Sequence, residues 1–281
     1  MRVIESCAEC LYGKQRNISD DPDFLSEIKE IIDSRKEGDT APYLIWKFSA
    51  VQEKYLGKRQ PFREIKKRYN DLVLSMEEGI RQKIESSPDP LHTALLYARA
   101  GNYIDFGAMD TVDEEEFFSL LDEASSADRD QETYGSFLKQ CETADRFLLI
   151  TDNCGEIVLD RLFLEQLKKR FPGMELTVLV RGKEVLNDAT REDAVYTGLE
   201  QIAEIIDNGE AIAGTIFEYL PDHAKKAIGE ADVILSKGQA NYESLCRQGW
   251  HIFYSFLCKC ELFTDRFNVP RLTGIFIEER E

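Results

Sequence analysis

The spacing of apolar residues changes near residue 143, and this change constrains the fold more than any other feature of the sequence. In the first half, apolar residues recur every three or four positions, as Phe24, Ile28 and Ile31 do, which is typical of amphipathic helices. In the second half, short continuous apolar runs alternate with helical segments, and such runs are typical of strands buried on both faces. The pattern predicts an all-helical domain over 1–142 and a three-layer αβα domain with a mostly parallel sheet over 143–281.

The second half contains six candidate strands. Two of them are clear buried runs, RFLLITD at 146–152 and ELTVLVRG at 175–182, and an amphipathic helix separates them. The others are EIIDNG at 204–209, ADVILSKG at 231–238, and two closing strands in HIFYSFL and RLTGIFIEE. In an open α/β sheet, ligands bind beyond the carboxyl ends of the strands. The residues at those ends are therefore the candidates for function.

The charge of the chain limits its partners. Its 53 acidic and 35 basic residues give a net charge of −18, and such a surface repels phosphate backbones and anionic membranes. We therefore expect neither nucleic acid nor a membrane as a partner, whereas a small phosphorylated substrate is compatible with a local metal ion and lysine. No apolar run approaches the roughly 18 residues of a membrane helix. The N-terminal segment MRVIESCAEC also lacks the apolar core of a signal peptide, so we expect a cytoplasmic protein.

Oxygen-bearing side chains follow the first two strands. Asp152 and Asn153 come directly after the first strand, and Asp188 follows the second. One interpretation is structural. Asp152 and Asn153 are good N-cap residues, and Glu156 lies three residues after Asn153, as the partner in a capping box does. A cap alone does not predict Asp188, however, and two carboxylates with an amide suit Mg²⁺ or Mn²⁺. We therefore expect a metal site formed by Asp152, Asn153 and Asp188.

Basic residues lie at two strand ends. Lys237 follows a buried strand and precedes Gly238, so its ammonium and the nearby backbone can approach an anion. Arg181 ends the second strand, where it can pair with a carboxylate of the fold or contact a phosphate. Backbone N–H groups near Gly155, at the start of the following helix, are further candidates for holding phosphate oxygens.

Other site chemistries lack their motifs. The chain has no G-x-G-x-x-G after a strand, no G-x-x-x-x-G-K-[ST] and no G-x-S-x-G, so dinucleotide, P-loop and serine-hydrolase sites are unsupported. The three histidines, at 92, 223 and 251, are scattered. Cys154 lies inside the first strand-end loop, where we expect a small loop residue and not a nucleophile.

The cysteines allow two interpretations. Cys7 and Cys10 form a C-x-x-C, and Cys258 and Cys260 form a C-x-C near the other end. These four thiols could bind a structural zinc ion if the two ends of the chain meet in space. Reduced or redox-sensitive thiols are the alternative, which we favour.

Four motifs in order resemble one protein family. They run from the helical half to the last strands, and the paired cysteines with Lys259-Cys260 resemble its compact prokaryotic branch. The family is the damage-control phosphatases, long catalogued as domain of unknown function 89. The motifs are Gly101-Asn102-Tyr103-Ile104-Asp105-Phe106-Gly107, Asp152-Asn153-x-Gly155-Glu156, Arg181-Gly182-Lys183-x-Val185-Leu186-Asn187-Asp188-Ala189-Thr190, and Lys237-Gly238-Gln239-Ala240-Asn241-Tyr242-Glu243.

The resemblance implies a metal-dependent phosphatase whose second half is Rossmann-like. It implies that the trio of Asp152, Asn153 and Asp188 holds a divalent metal such as Mn²⁺, Mg²⁺, Co²⁺ or Ni²⁺, and that Lys237 contacts the phosphate. It also implies that three further residues face the hydroxyl end of the substrate, which is a small phosphometabolite such as a sugar phosphate. These residues are Asn102, Asp105 and Glu156.

The mechanism expected from these residues is phosphomonoester hydrolysis by a metal-activated water, with Asp152, Asp188 and Lys237 as the catalytic residues. A covalent aspartyl-phosphate on Asp152 is the variant, although the sequence D-N-C at this strand end differs from the D-x-D of haloacid-dehalogenase-type phosphatases. Two other functions stay open. One is a non-catalytic, metal-dependent sugar-phosphate-binding protein. The other is a carboxyl methyltransferase, which the missing glycine-rich loop disfavours.

Overall fold

The computed structural model describes residues 1–57, 62–105, 113–124 and 130–280, so Phe106 and Gly107 of the first motif lie outside the described residues. Within these ranges the chain forms twelve α-helices, two short 3₁₀ turns and six strands. The helices are α1 Glu5–Ile18, α2 Pro22–Asp33, α3 Ala41–Leu56, α4 Arg63–Glu85, α5 Pro90–Gly101, α6 Glu114–Ala124, α7 Gln131–Cys141, α8 Glu156–Arg170, α9 Arg191–Tyr196, α10 Asp222–Glu230, α11 Gln239–Leu245 and α12 Glu261–Phe267. The strands are β1 Arg146–Ile150, β2 Glu175–Val180, β3 Glu204–Asp207, β4 Val233–Lys237, β5 Ile252–Leu257 and β6 Gly274–Glu279.

The six strands form one sheet in the order β3-β2-β1-β4-β5-β6. Strands β1 to β5 pair in parallel, and β6 pairs antiparallel with β5. After β1 the chain passes to β2 on one side, and it later returns to β4 on the other side. This reversal makes the carboxyl end of β1 the switch point at which open α/β sheets bind ligands. The predicted mostly parallel sheet, preceded by helices, is confirmed.

Helix α8 lies between the sheet and the N-terminal helices. It is buried on nearly all sides, as its apolar residues require. One apolar core joins α4, α5, α7 and α8 to this face of the sheet. At its centre, the ring of Phe137 from α7 contacts the rings of four other phenylalanines, Phe147, Phe163, Phe253 and Phe276. The core therefore crosses the predicted boundary at residue 142, and the division into two domains stays a prediction.

The opposite face of the sheet is covered by the later helices. A second apolar cluster joins residues of α10, α11 and α12 to β4 and β5. Helices α1, α2 and α3 form a third cluster of their own. In the parts of the chain that the structure describes, no helix combines the length and the apolar composition needed to cross a membrane.

One element of the helical half differs from the sequence pattern. The apolar residues of α4 recur at helical spacing and are buried at Tyr69 and Ile84, but Ile65 of the same series is 38% exposed, and its neighbour Lys66 is 4% exposed instead. The reason is an internal partner, because the ammonium of Lys66 lies 2.6 Å from a carboxylate oxygen of Asp193. Successive helical residues point about 100° apart, so burying Lys66 turns Ile65 outward.

Candidate active site

The loops that follow β1 and β2 run side by side. The backbone N–H of Ala189 donates to the carbonyl of Asp152 at 2.7 Å, and the N–H of Cys154 donates to the carbonyl of Asn187 at 2.8 Å. Asn153 and Asp188 form an isolated antiparallel bridge between the same loops. The structure therefore brings Asp152, Asn153 and Asp188 together at the carboxyl edge of the sheet, and each of them is at most 5% exposed.

The two carboxylates of this trio stand in an unfavourable electrostatic environment. Burial raises the pKa of Asp152 well above its usual value, and the charges of Asp188, Glu156 and Asp105 raise it further. Burial also raises the pKa of Asp188 to about 6, although the Arg181 guanidinium opposes that rise. Buried carboxylates at such proximity call for a positive partner. A divalent cation would supply it.

Asn153 completes a donor set that fits a hard cation. Its amide nitrogen donates to Asp152 Oδ2 at 2.8 Å and to Glu156 Oε2 at 3.3 Å. Because the amide nitrogen is used in this way, the amide oxygen is the atom of Asn153 that could bind a cation. Carboxylate and amide oxygens are ligands that Mg²⁺ and Mn²⁺ prefer. The residues present therefore fit a metal ion.

Gly238 gives Asp152 the space that it occupies. Gly238 follows β4 with a φ of +84°, a conformation that favours glycine. A Cβ atom at this position would lie 2.1 Å from Asp152 Oδ2. The carboxylate of Asp152 thus packs directly against the backbone after β4.

Lys237 lies beneath this edge and is completely buried. Its ammonium donates to Glu156 Oε1 at 2.6 Å, to Asp160 Oδ1 at 2.7 Å and to the carbonyl of Ala98 at 3.0 Å. A lysine has three N–H donors, so all three are used inside the protein. In this structure Lys237 holds Glu156, and a contact with phosphate, which stays a prediction, would require one of these bonds to break.

The predicted substrate residues of the helical half reach the same edge. Asn102, at the end of α5, donates from Nδ2 to Asp152 Oδ2 at 2.9 Å and to Glu156 Oε2 at 3.0 Å. Its side-chain amide oxygen, Oδ1, accepts the backbone N–H of Leu257 at the end of β5. Asp105, three residues further on, accepts a bond from Lys259. Asn102 therefore ties the helical half to the strand ends.

Arg181 pairs with carboxylates of the trio. Its Nε donates to Asp188 Oδ2 at 2.7 Å, and its Nη1 donates to Asn241 Oδ1 at 3.1 Å and to the carbonyl of Gly214 at 3.2 Å. The remaining nitrogen, Nη2, lies 3.6 Å from Asp152 Oδ1 and forms no hydrogen bond within the described residues. The structure shows the carboxylate pairing for Arg181, and its contact with phosphate stays a prediction.

Lys259 is the site residue that sequence reasoning missed as a ligand. Its side chain is buried, and its Nζ donates to Asp105 Oδ2 at 2.6 Å. The charge of Lys259 also lowers the pKa of Asp152. The sequence contains the same indication for Lys259 as for Asp152, because each residue lies two positions after the end of a strand, β5 for Lys259 and β1 for Asp152. The strand-end rule, extended to β5, would have found it.

The amide of Gly155 has an internal partner as well. It donates to Asn70 Oδ1 of α4 at 2.6 Å. The next amide, that of Glu156, donates to the carbonyl of Cys154 at 2.8 Å. The predicted phosphate contacts by these N–H groups therefore stay a prediction, since both groups have acceptors within the chain. Cys154 is fully buried, and burial raises the pKa of its thiol, which disfavours a nucleophile.

The pKa of Cys7 is affected by cysteines from both ends of the chain. Burial raises the pKa of Cys7 to about 11, and the charges of Glu243, Cys260 and Cys10 add to the rise. The thiols are all free. Across the described ranges, no group of three or more histidine, cysteine, aspartate or glutamate side chains is arranged to hold a metal ion, so zinc at the cysteines gains no support. This result does not bear on the trio of Asp152, Asn153 and Asp188, because asparagine is not among those four residue types.

Replacing Gly238 by alanine tests the packing against Asp152. Because the new Cβ collides with that carboxylate and φ is positive, we expect Gly238→Ala to lower the free energy of unfolding by about 1–3 kcal/mol. Gly229→Ala in α10 is the matched control, since nothing lies within 4 Å of its Cβ position. The control should leave stability unchanged or raise it by up to about 1 kcal/mol. Urea denaturation of both variants measures this, and equal effects would contradict the packing.

The chain is similar to known proteins over nearly its full length. Residues 2–272 match the model of the damage-control phosphatase ARMT1-like domain. A damage-control phosphatase of Archaeoglobus fulgidus is 30% identical over 278 residues, with 93% of each chain covered. Damage-control phosphatase PH1575 of Pyrococcus horikoshii is 30% identical over 223 residues, which cover 78% of this chain and 74% of that protein.

A solved structure has the same fold. The crystal structure of a DUF89 family protein from Pyrococcus horikoshii superimposes with a TM-score of 0.81 at 23% identity and covers 100% of both chains. The relatives named as phosphatases support a phosphatase role. Together with the family match, they confirm the resemblance seen in the motifs. This chain belongs to the damage-control phosphatase ARMT1-like family.

Proposed function

We propose that this protein hydrolyses phosphomonoesters of small metabolites with the help of a divalent metal ion held by Asp152, Asn153 and Asp188. The observation that carries the proposal is the convergence of two buried carboxylates and one amide at the switch point of the sheet. Arg181 pairs with both carboxylates, and a bound divalent cation would offset the repulsion that remains. A phosphatase of this family offers a reason for their proximity.

The metal ion would be Mg²⁺, Mn²⁺, Co²⁺ or Ni²⁺, in keeping with an oxygen-rich donor set. When bound, it would supply Lewis-acid polarisation of a phosphoryl oxygen and a lowered pKa for water. The chain's own residues hold this donor set rigid. Asn102 and Asn153 both donate to Asp152 Oδ2, and Arg181 Nε fixes Asp188. Fixed dipoles and charges of this kind need no reorganisation during a reaction.

Lys259 is the best candidate for the phosphate contact. Among the described residues, one of its three donors is used, by Asp105, whereas Lys237 uses all three. A phosphate beside the trio would meet the ammonium of Lys259, whose charge already acts on Asp152. Its buried position strengthens the interaction because the local dielectric is low. Lys237 would then act as a positioning residue for Glu156.

The geometry favours attack by water over a covalent intermediate on Asp152. Asp152 Oδ2 accepts two side-chain amides and packs against Gly238, so this oxygen is not free to approach phosphorus. The substrate class that suits the site is a small anionic phosphate ester, such as a sugar phosphate. Trapping of beryllofluoride on the carboxylate of Asp152, as a stable analogue of an aspartyl-phosphate, would argue for the covalent route instead.

The metal dependence can be measured with chelator-stripped protein. After each of the four metal ions is added singly, we expect phosphate release from p-nitrophenyl phosphate and from a panel of sugar phosphates. Asp152→Asn keeps the shape of the side chain and removes its charge, so kcat/KM should fall by about 10²–10³-fold. Asp222→Asn in α10, at an exposed aspartate, is the matched control and should retain full activity.

Two results would contradict this proposal. One is turnover that persists in chelator or in Asp152→Asn. The other is folded protein that binds a sugar phosphate but releases no phosphate with any metal, which would favour the non-catalytic binding protein.

The role of Lys259 has its own test. Lys259→Met removes one charge-assisted hydrogen bond to phosphate, worth about 1.5–3 kcal/mol, so inhibition by inorganic phosphate should weaken by about 10–150-fold. Lys226→Met, whose side chain is 71% exposed, is the control and should leave the inhibition constant unchanged. An unchanged constant in Lys259→Met, with Lys237→Met folded but insensitive to phosphate, would assign the contact to Lys237.

A further inference from the structure

A buried polar network connects α4 to the two loops of the metal trio. Lys66 and Asn70 lie one turn apart on α4, and they are 4% and 1% exposed. Their partner is Asp193 at the start of α9, more than 120 residues away in sequence. A buried polar side chain loses its hydrogen bonds with water and therefore needs a partner inside the protein. Here the partners come from parts of the chain that are far apart in sequence.

Asn70 holds the first loop. Its amide oxygen accepts the N–H of Gly155 at 2.6 Å, and its amide nitrogen donates to Asp193 Oδ1 at 2.8 Å. Because a carboxylate only accepts hydrogen bonds, Asp193 fixes the orientation of the Asn70 amide and directs its oxygen at Gly155. Gly155 lies two residues after Asn153 and has a φ of +70°.

Asp193 holds the second loop. Its Oδ2 accepts the backbone N–H of Thr190 at 2.9 Å and the hydroxyl of Thr190 at 2.8 Å. The ammonium of Lys66 lies 2.6 Å from the same oxygen and also donates to the Thr190 hydroxyl at 3.1 Å. Thr190 lies two residues after Asp188. One carboxylate therefore organises both the helix and the loop.

The network contacts both loops at once, and each contact lies two residues beyond a member of the metal trio. A side chain added to Gly155 would meet Ile104 Cδ1 at 2.8 Å and the carbonyl of Tyr69 at 3.2 Å, so this loop has little room to move. The network joins one cation, one anion and one amide, and satisfied networks of this kind stiffen their surroundings.

We propose that Lys66, Asn70 and Asp193 are positioning residues for the metal site, which set the separation of Asn153 and Asp188 through Gly155 and Thr190. This inference rests on the proposed function. It assigns a role to the helical half that no motif of the sequence indicates. Within the described residues, the hydrogen bonds of this network reach Gly155 and Thr190, which are neighbours of the trio in the chain, so we expect the network to act on the affinity for the metal ion.

An exchange of the two side chains tests the proposal. Asn70→Asp alone places two carboxylates face to face, and Asp193→Asn alone leaves two amides in their place. In the double variant, the carboxylate introduced at position 70 accepts from Gly155 and from the new amide at position 193, whose oxygen still faces Lys66 and Thr190. The double variant thus restores every hydrogen bond and the net charge.

The readout is the Kd for Mn²⁺ alone, measured by electron paramagnetic resonance without substrate. Each single variant should raise the Kd by about 10–100-fold, the range found when groups supporting metal ligands are lost. The double variant should return it to within about threefold of the wild-type value. Asn17→Asp, at an exposed asparagine of α1, is the charge-matched control and should leave the Kd unchanged. If Asn70→Asp fails to fold, Asn70→Ala replaces it, with the same expected loss.

Three outcomes overturn the inference or separate it from the proposed function. Single variants that bind Mn²⁺ as wild type does would overturn it. A double variant that recovers its stability towards urea but not its Mn²⁺ affinity would also overturn it, since the network would then be merely structural. Wild-type protein that binds no Mn²⁺ would reject the proposed metal site itself, and this inference with it.

Discussion

The burial of Asp152 and Asp188 beside each other is the constraint on which the rest of this structure depends. Two carboxylates removed from water repel one another and lose their hydration, and the raised pKa values of both record that cost. The surrounding residues offset part of it. Arg181 pairs with Asp188, and two amides donate to Asp152. We propose that a bound divalent cation offsets the remainder.

Two buried ion-pair networks contact the residues around the candidate site. Lys237 joins Glu156 and Asp160 under the edge of the sheet, and Lys66 joins Asp193 and Asn70 at the helical side. Neither network would survive the loss of one charged member without cost, because the remaining charge would stay buried. The helical half thus contacts the candidate active site, through Asn102 at the end of α5 as well as through α4.

The sequence carries enough information for the sheet and for the trio at its carboxyl edge, but less for the groups around the trio. Asp152, Asn153 and Asp188 follow from the rule that ligands bind at strand ends, and Lys259 follows from the same rule applied to β5. Lys237 also lies at a strand end, but its N–H groups donate to groups inside the protein. Whether a strand-end side chain points to solvent or to a neighbouring helix depends on the residues that pack against the sheet there, which the sequence pattern does not show. Lys66 and Asn70 could not be found, since on α4 they read as the polar face of an amphipathic helix. Their partner Asp193 is distant in sequence.

We propose that the carboxyl edge of the sheet after β1 and β2 holds a metal ion next to Lys259, which binds phosphate. Anomalous X-ray diffraction from crystals grown with Mn²⁺ and inorganic phosphate tests this most directly. We predict one manganese peak within about 2.5 Å of oxygens from Asp152, Asn153 and Asp188, with the phosphate in hydrogen-bond contact with Lys259. A manganese peak elsewhere, for example at the cysteines of the chain ends, or a phosphate bound away from this edge, would contradict the account.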